Sequence, residues 1–136
     1  MSQPAEFVLV HPCGLRIEKG LLESDASAVD GVIVRDMKTG YVWYDLPETC
    51  IAGKQIVVGL CFFQRALHSI VFAVSDPIYG TTWDDWSESK ERARAEATRT
   101  WLESVGYSVG KYRWGVVYAE FDPRGGGGGA GVRFAV

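Results

Sequence analysis

The segment DWSESKERARAEATRTWLESVG, residues 85–106, decides the fold class, because it is where the chain commits to a long helix. Asp85-Trp86-Ser87-Glu88 has the form of a capping box, an acidic cap followed three residues later by Glu. No Pro or Gly intervenes before Gly106, which stands where a left-handed C-cap is wanted. The pattern predicts a helix over about 86–105. Ala93, Ala97, Trp101 and Val105 recur every fourth residue, with Leu102 beside them. Alanines let a helix approach a sheet closely, and Trp101 is expected to fill the wider gap. Glu88 with Arg92, and Arg92 with Glu96, lie four residues apart on the outer side. Arg92, Arg94 and Arg99 are each balanced by neighbouring Glu, which reads as a solvated face and not as a nucleic-acid surface.

Everything around this helix reads as hairpins. Upstream, Glu6 to Val10 and Leu15 to Glu18 flank the turn His11-Pro12-Cys13-Gly14. Leu21 to Asp30 is small and polar, a loop with at most one helical turn. Val32-Ile33-Val34 and Tyr41-Val42-Trp43-Tyr44 flank a Gly-closed polar loop and predict a second hairpin. Gln55 to Phe63 is apolar after its first residue, as expected of a central strand covered on both faces, and Leu67 to Val74 returns as its partner. Downstream, Tyr112 to Phe121 predicts a long strand with a bulge at Gly115. Asp122 to Gly131 reads as a loop, and Val132 to Val136 as the closing strand. The expectation is an α+β domain spanning 1–136: an antiparallel sheet of about six to eight strands, with one helix inserted before the C-terminal hairpin.

Composition sets the outer limits. The 136 residues suffice for one core, and 47% hydrophobic with 23% charged side chains excludes global disorder. The formal charge is −3; residues 1–83 carry six basic and nine acidic groups, residues 84–136 eight of each. No basic stripe suggests nucleic acid, and no apolar run is long enough to span a bilayer as a helix. Cys13, Cys50 and Cys61 are odd in number and lack CxxC spacing. With no signal-peptide pattern at the N-terminus, a reduced cytoplasmic setting is expected, with the thiols unpaired.

Several features could carry chemistry. The run Gly125 to Gly129 is not a phosphate loop, since strands and not a helix follow it and the GK[ST] signature is absent; it reads as a hairpin tip. His11 and Cys13 are neighbours, but His68, Cys50 and Cys61 are scattered, so no metal or cofactor is expected and no Cys–His nucleophile is defined. Trp83-Asp84-Asp85-Trp86 places two carboxylates between two indoles at a helix start. The structural reading is that Asp85 caps, Asp84 suits the helix dipole and the indoles clamp the loop. The functional reading is an exposed recognition patch of Tyr79, Trp83 and Asp84. Tyr112-Arg113-Trp114 and Asp122-Pro123-Arg124 raise the same choice between stem packing and binding.

The landmarks Trp83-Asp84-Asp85-Trp86-Ser87, Trp101-Leu102, Trp114-Gly115 and Phe121-Asp122-Pro123-Arg124-Gly125-Gly126 are similar in outline, over residues 79–136, to small uncharacterised bacterial cytoplasmic proteins of the toxin-immunity kind. The glycine run is longer here than that likeness leads one to expect. The resemblance implies a non-enzymatic protein that neutralises a toxin or effector by direct binding, and it transfers no site residues. The candidate partner-binding residues are therefore Trp43, Tyr79, Trp83, Asp84, Arg113 and Arg124, with no catalytic residue assigned and the oligomeric state open. The alternatives are a small enzyme or ligand-binding module, with a pocket between sheet and helix near Asp84, Asp85, His68 and Cys61, and a secretion chaperone.

Overall fold

The computed structural model describes residues 4–135. The elements in order are β1 (Val8–Val10), β2 (Arg16–Glu18), α1 (Glu23–Ser27), β3 (Ile33–Asp36), β4 (Tyr41–Asp45), β5 (Thr49–Ile51), β6 (Lys54–Phe63), β7 (Ala66–Val74), α2 (Glu88–Ser104), β8 (Gly110–Tyr112), β9 (Gly115–Asp122) and β10 (Gly127–Phe134). Two short 3-10 turns, Pro77–Tyr79 and Trp83–Asp85, precede α2. Strands β1 and β2 form a separate hairpin. The remaining eight make one antiparallel sheet in the order β3-β4-β6-β7-β10-β9-β8, with β5 paired to the start of β6. The expected α+β architecture is present, with the long helix before the C-terminal hairpin.

One face of the sheet is closed. Ile56, Val58, Leu60 and Phe62 of β6 point to it, as do Ile70, Phe72 and Val74 of β7 and Ala130, Val132 and Phe134 of β10. Trp101 and Leu102 of α2 pack onto this layer, as do Phe7, Ile17, Leu21 and Ala26 of the N-terminal segment. Indole Nε1 of Trp101 donates to the Ile51 carbonyl at 2.8 Å, so the end of α2 is pinned to β5. The Tyr107 hydroxyl, just past α2, both accepts from Val8 N and donates to Val8 O, which holds the first hairpin in place.

The helix departs from its expected stripe. Its buried positions are Glu91, Ala95, Thr98, Trp101 and Leu102, while Ala93 is exposed and Ala97 half-buried. Two polar residues hide in the stripe because each is satisfied. Thr98 Oγ1 donates to the Arg94 carbonyl at 2.7 Å and accepts from Val74 N, and Glu91 Oε1 accepts from Gly128 N at 3.0 Å. The cap also moves. Ser87 caps α2 through Lys90 N, whereas Asp85 belongs to a capping box with Thr82 that closes the preceding 3-10 turn.

The glycine run is the main correction. Residues 127–131 are not a loop but the first half of β10, paired residue for residue with Asp122 to Tyr118 of β9. The turn is confined to 123–126, and Val136, the expected end of the strand, lies outside the described residues. A Cβ on Gly128 would stand 1.7 Å from the Glu91 carbonyl oxygen, so glycine is what lets α2 rest on this strand. The long strand expected from Tyr112 is split into β8 and β9 by a two-residue turn, and a Cβ on Gly115 would meet Arg133 O at 2.1 Å. Strand β5 and its Ala52-Gly53 turn went unread.

Candidate functional site

Strand β6 is covered on one face only. Its other face belongs to an open groove of about 880 Å3 that runs over β4, β6, β7, β10 and β9. Register builds the groove in rows. Ile33, Asp45, Gly59, Val71, Gly131 and Tyr118 lie side by side across six strands. The next row is Arg35, Trp43, Cys61, Ser69 and Arg133. In the other direction, Val57 and Ala73 pair, and Gly129 faces Glu120 while Gly127 faces Asp122. The floor is thus small or aliphatic, and the walls are Trp43 with Arg35 and Asp45 on one side and Tyr118, Glu120 and Asp122 on the other.

Two glycines of the floor are roofed by neighbours and not vacant. A Cβ on Gly131 would lie 2.5 Å from the Tyr118 hydroxyl, so the phenol lies across it, an aromatic covering the glycine opposite. Around Gly59, Val71, Asp45 and Trp43 come within 3.0 to 3.5 Å of the same notional atom. Cys61, two residues along on the same side of β6, is 3% exposed although no further layer covers that face. That burial explains why β6 reads as doubly covered.

Charges are held with different firmness. Arg35 grips Asp45 through two bonds, Nε to Oδ2 at 2.7 Å and Nη2 to Oδ1 at 3.0 Å, and its guanidinium lies 5.5 Å from the Trp43 ring centroid. That hydrogen bonding raises the Arg35 pKa further above its usual value. Arg133 sits 5.3 Å over the Tyr118 ring and makes no ion pair among the described residues. Burial raises the pKa of the Tyr118 phenol. The lining holds two arginines against the four carboxylates Asp45, Glu48, Glu120 and Asp122, a net −2.

His68 is the extra residue of a β-bulge opposite Cys61 and Phe62. Its Nδ1 lies 3.2 Å from Ser69 Oγ, and Ser69 stands opposite Cys61 across the strands. These three neighbours do not form an activated nucleophile. Burial pushes the Cys61 thiol up, opposed by Ser69 and Arg35, and among the described residues no carboxylate orients the other His68 nitrogen. No group of three or more His, Cys, Asp or Glu side chains converges among the described residues, and all three cysteines are free. The helix–sheet interface, where a ligand pocket was the alternative expectation, is filled by Phe72, Trp101 and Leu102. Asp84 and Asp85 stand apart from Cys61 and His68, in the 3-10 turn before α2.

The six candidate partner residues fall in three places. Trp43 lines the groove. Trp83 and Asp84 sit on the second 3-10 turn, next to the 123–126 turn that carries Arg124. There Trp86 Nε1 donates to the Gly126 carbonyl, the Trp83 and Trp86 rings lie 6.3 Å apart, and a shallow notch of about 280 Å3 opens between the turns. Gly125 and Gly127 line both notch and groove, so the two depressions meet. Tyr79 is half-buried beneath Arg94, whose guanidinium lies 5.7 Å from its ring, and it serves packing. Arg113, in the β8–β9 turn, is exposed and lies outside both linings.

Trp83 is presented, not merely exposed. It has 77% of its surface in water, yet its loop is held hard: Asp85 accepts from Thr81 N and Thr82 N, and Lys90 Nζ donates to the Asp85 carbonyl. Those amide donors hold the Asp85 carboxyl below its usual range.

No protein-family model, no curated protein and no solved structure matches the chain.

The groove residues that single-residue reading overlooked are Arg35, Asp45, Tyr118, Glu120 and Arg133. The available signal was parity. Arg35 alternates with Ile33, Asp45 with Trp43, and Tyr118 with Glu120 and Asp122, so each strand had already sorted them to one face.

Proposed function

We propose that this protein is a non-enzymatic binding domain that captures a protein partner in its open groove, in the manner of a cytoplasmic immunity protein. The observation that carries this reading is the uncovered face itself. Half of an eight-stranded sheet surface is left without a layer of its own, and Trp43 and Tyr118 flank a floor of small residues on it. Aromatic side chains at the walls of a preformed depression are the usual anchors of protein interfaces. The net −2 of the lining and the −3 of the whole chain favour a basic partner, whose approach they accelerate.

The test is capture by the tagged full chain from a lysate of its source organism, run beside Val57→Arg. Val57 is 39% exposed on the groove floor, so an arginine there obstructs the groove without entering the core. A stoichiometric partner retained by the parent chain and lost by this variant is expected. A partner retained equally by both sinks the groove as its site.

The size of the groove supports a second reading, a small-molecule ligand, since such sites span about 300–1,000 Å3. A thermal shift with metabolites in place of protein capture would favour it.

A further inference from the structure

We propose that the groove reads charge along its length, and that its occupant is an extended polypeptide segment bearing an acidic side chain about four to six residues from a basic one. This rests on the groove being the partner site, and it specifies what the partner must insert. Read across strands, the groove has rows of small residues in its middle; read along β10, its two ends differ in sign. Arg133 stands at one end, opposite Ser69 and beside His68. Arg35 shares that row, but its charge is already matched by Asp45. Glu120 faces Gly129, four residues along β10 from Arg133, and Asp122 faces Gly127, six residues along. At about 3.3 Å per residue the acidic groups lie ~13 and ~20 Å from the Arg133 row.

Neither Arg133 nor Glu120 makes an ion pair among the described residues, so each is left to find a counter-charge elsewhere. Asp122 has one oxygen bound by Arg124 N and the other turned toward Gly125. Separation decides the class of ligand. The Arg133 guanidinium leans over Tyr118, toward Glu120, so the ~20 Å between the Arg133 and Asp122 rows is the span that a free amino acid cannot bridge and a chain of about six extended residues does. A nucleic-acid strand would meet Arg133 favourably but be repelled by Glu120 and Asp122. Between the ends, Gly129, Val71 and Ala73 keep the floor low beside the Tyr118 ring that covers Gly131.

The experiment titrates blocked synthetic octapeptides into the full chain, read by amide shifts and Trp43 fluorescence. Two peptides carry Asp and Lys about five residues apart, ~17 Å when extended, in either order; the controls carry two Lys or two Asp at the same places. One of the Asp–Lys orders should bind about fivefold or more tighter than both controls, the scale of a well-formed surface ion pair. Glu120→Lys should move the preference to the two-Asp peptide, and Arg133→Glu to the two-Lys peptide; both positions are exposed, so both variants should keep the parent's dispersed spectrum. Equal affinities, or an order unchanged by the reversals, overturn the inference. So does a complete lack of groove shifts at millimolar peptide. In each case loss of partner capture by Val57→Arg still decides separately whether the groove binds a protein.

Discussion

Replacing Gly128 with alanine should cost this fold about 3 kcal/mol or more, because the methyl has nowhere to go. The added Cβ would stand 1.7 Å from the Glu91 carbonyl oxygen, 2.6 Å from its carbon and 3.3 Å from Ala95 N, against ordinary contacts of 3.4–4 Å. These are backbone atoms of α2, so no rotamer change relieves them. The helix must retreat by roughly 1.5–2 Å, and a gap of even 0.5–1 Å forfeits a quarter to a half of the attraction between facing atoms. Retreat also stretches the Gly128 N to Glu91 Oε1 bond and loosens the seats of Ala95, Thr98, Trp101 and Leu102. Such a loss would take a large share of the 5–15 kcal/mol that a domain of ordinary stability holds.

The neighbouring glycine is the control. A Cβ on Gly127 meets nothing within 4 Å, and its backbone is not in the left-handed region. Gly127→Ala should therefore be neutral within about 0.5 kcal/mol. Urea unfolding of the three proteins, followed by Trp fluorescence, gives the comparison. With m of about 1–3 kcal/mol/M, the Gly128 variant should unfold about 1–3 M earlier at unchanged m. If both variants unfold together with the parent, residues 127–131 are a free loop and the seating of α2 on β10 is wrong.

Glu91→Ala should cost about 3 kcal/mol, because it takes the carboxylate from the mostly buried Arg94, leaving it only the carbonyls of Val74, Tyr79 and Gly80, and orphans Gly128 N; Glu91→Gln, whose amide oxygen can still accept from Gly128 N, should cost clearly less in the same unfolding assay. His11 is buried with Nδ1 accepting from Cys13 N, and burial holds its pKa below 6.5. The unfolded chain therefore binds the proton first: the contribution of His11 is complete above pH 6.5 and is lost as pH falls through the lower folded value. Stability measured from pH 7.5 to 5 should fall, and His11→Phe should flatten that slope. Trp83→Ala should leave the unfolding midpoint within about 0.5 kcal/mol of the parent, given the exposure of that ring. Iodoacetamide at neutral pH should label Cys13 and Cys50, which are exposed, well before buried Cys61, as peptide mapping would show.

How much of this was legible in the sequence follows from where each signal was local. Hairpin β3–β4, strands β6 and β7 and the body of α2 were readable because apolar pattern and turn residues lie within a few positions of one another. The helix stripe was misplaced because Glu91 and Thr98 read as solvent-facing, and only Gly128 and Val74, distant in sequence, satisfy them. The glycines of β10 misled for the same reason. The run Gly125 to Gly129 carries no strand propensity, yet its last three residues and Gly131 belong to β10, where Gly128 and Gly131 fit only once α2 and Tyr118 lie against them. The groove was half-legible: Trp43 stood out as an aromatic, whereas Arg133 and Glu120 become a pair of opposite ends only through the β9–β10 register.

That register also ties the two faces of the sheet together. Side chains alternate along β10, so Gly128, Ala130, Val132 and Phe134 look toward α2 while Gly127, Gly129, Gly131 and Arg133 look into the groove. On the helix side, small size is demanded by the approach of Glu91. On the groove side, Gly131 is demanded by the Tyr118 ring, and a Cβ on Gly129 would meet Phe72 O at 2.5 Å. Every glycine between 128 and 131 is thus accounted for by a close approach of other atoms, although no two of these approaches lie on the same side of the strand in succession. The consequence for binding is geometric. The strand that seats the helix through Gly128 also carries Gly127, Gly129 and Gly131 on its groove side, the last of them covered by Tyr118. What remains free to vary for recognition is the rim, Arg35, Trp43, Glu48, Glu120 and Arg133, whose side chains can change without disturbing the seat of α2.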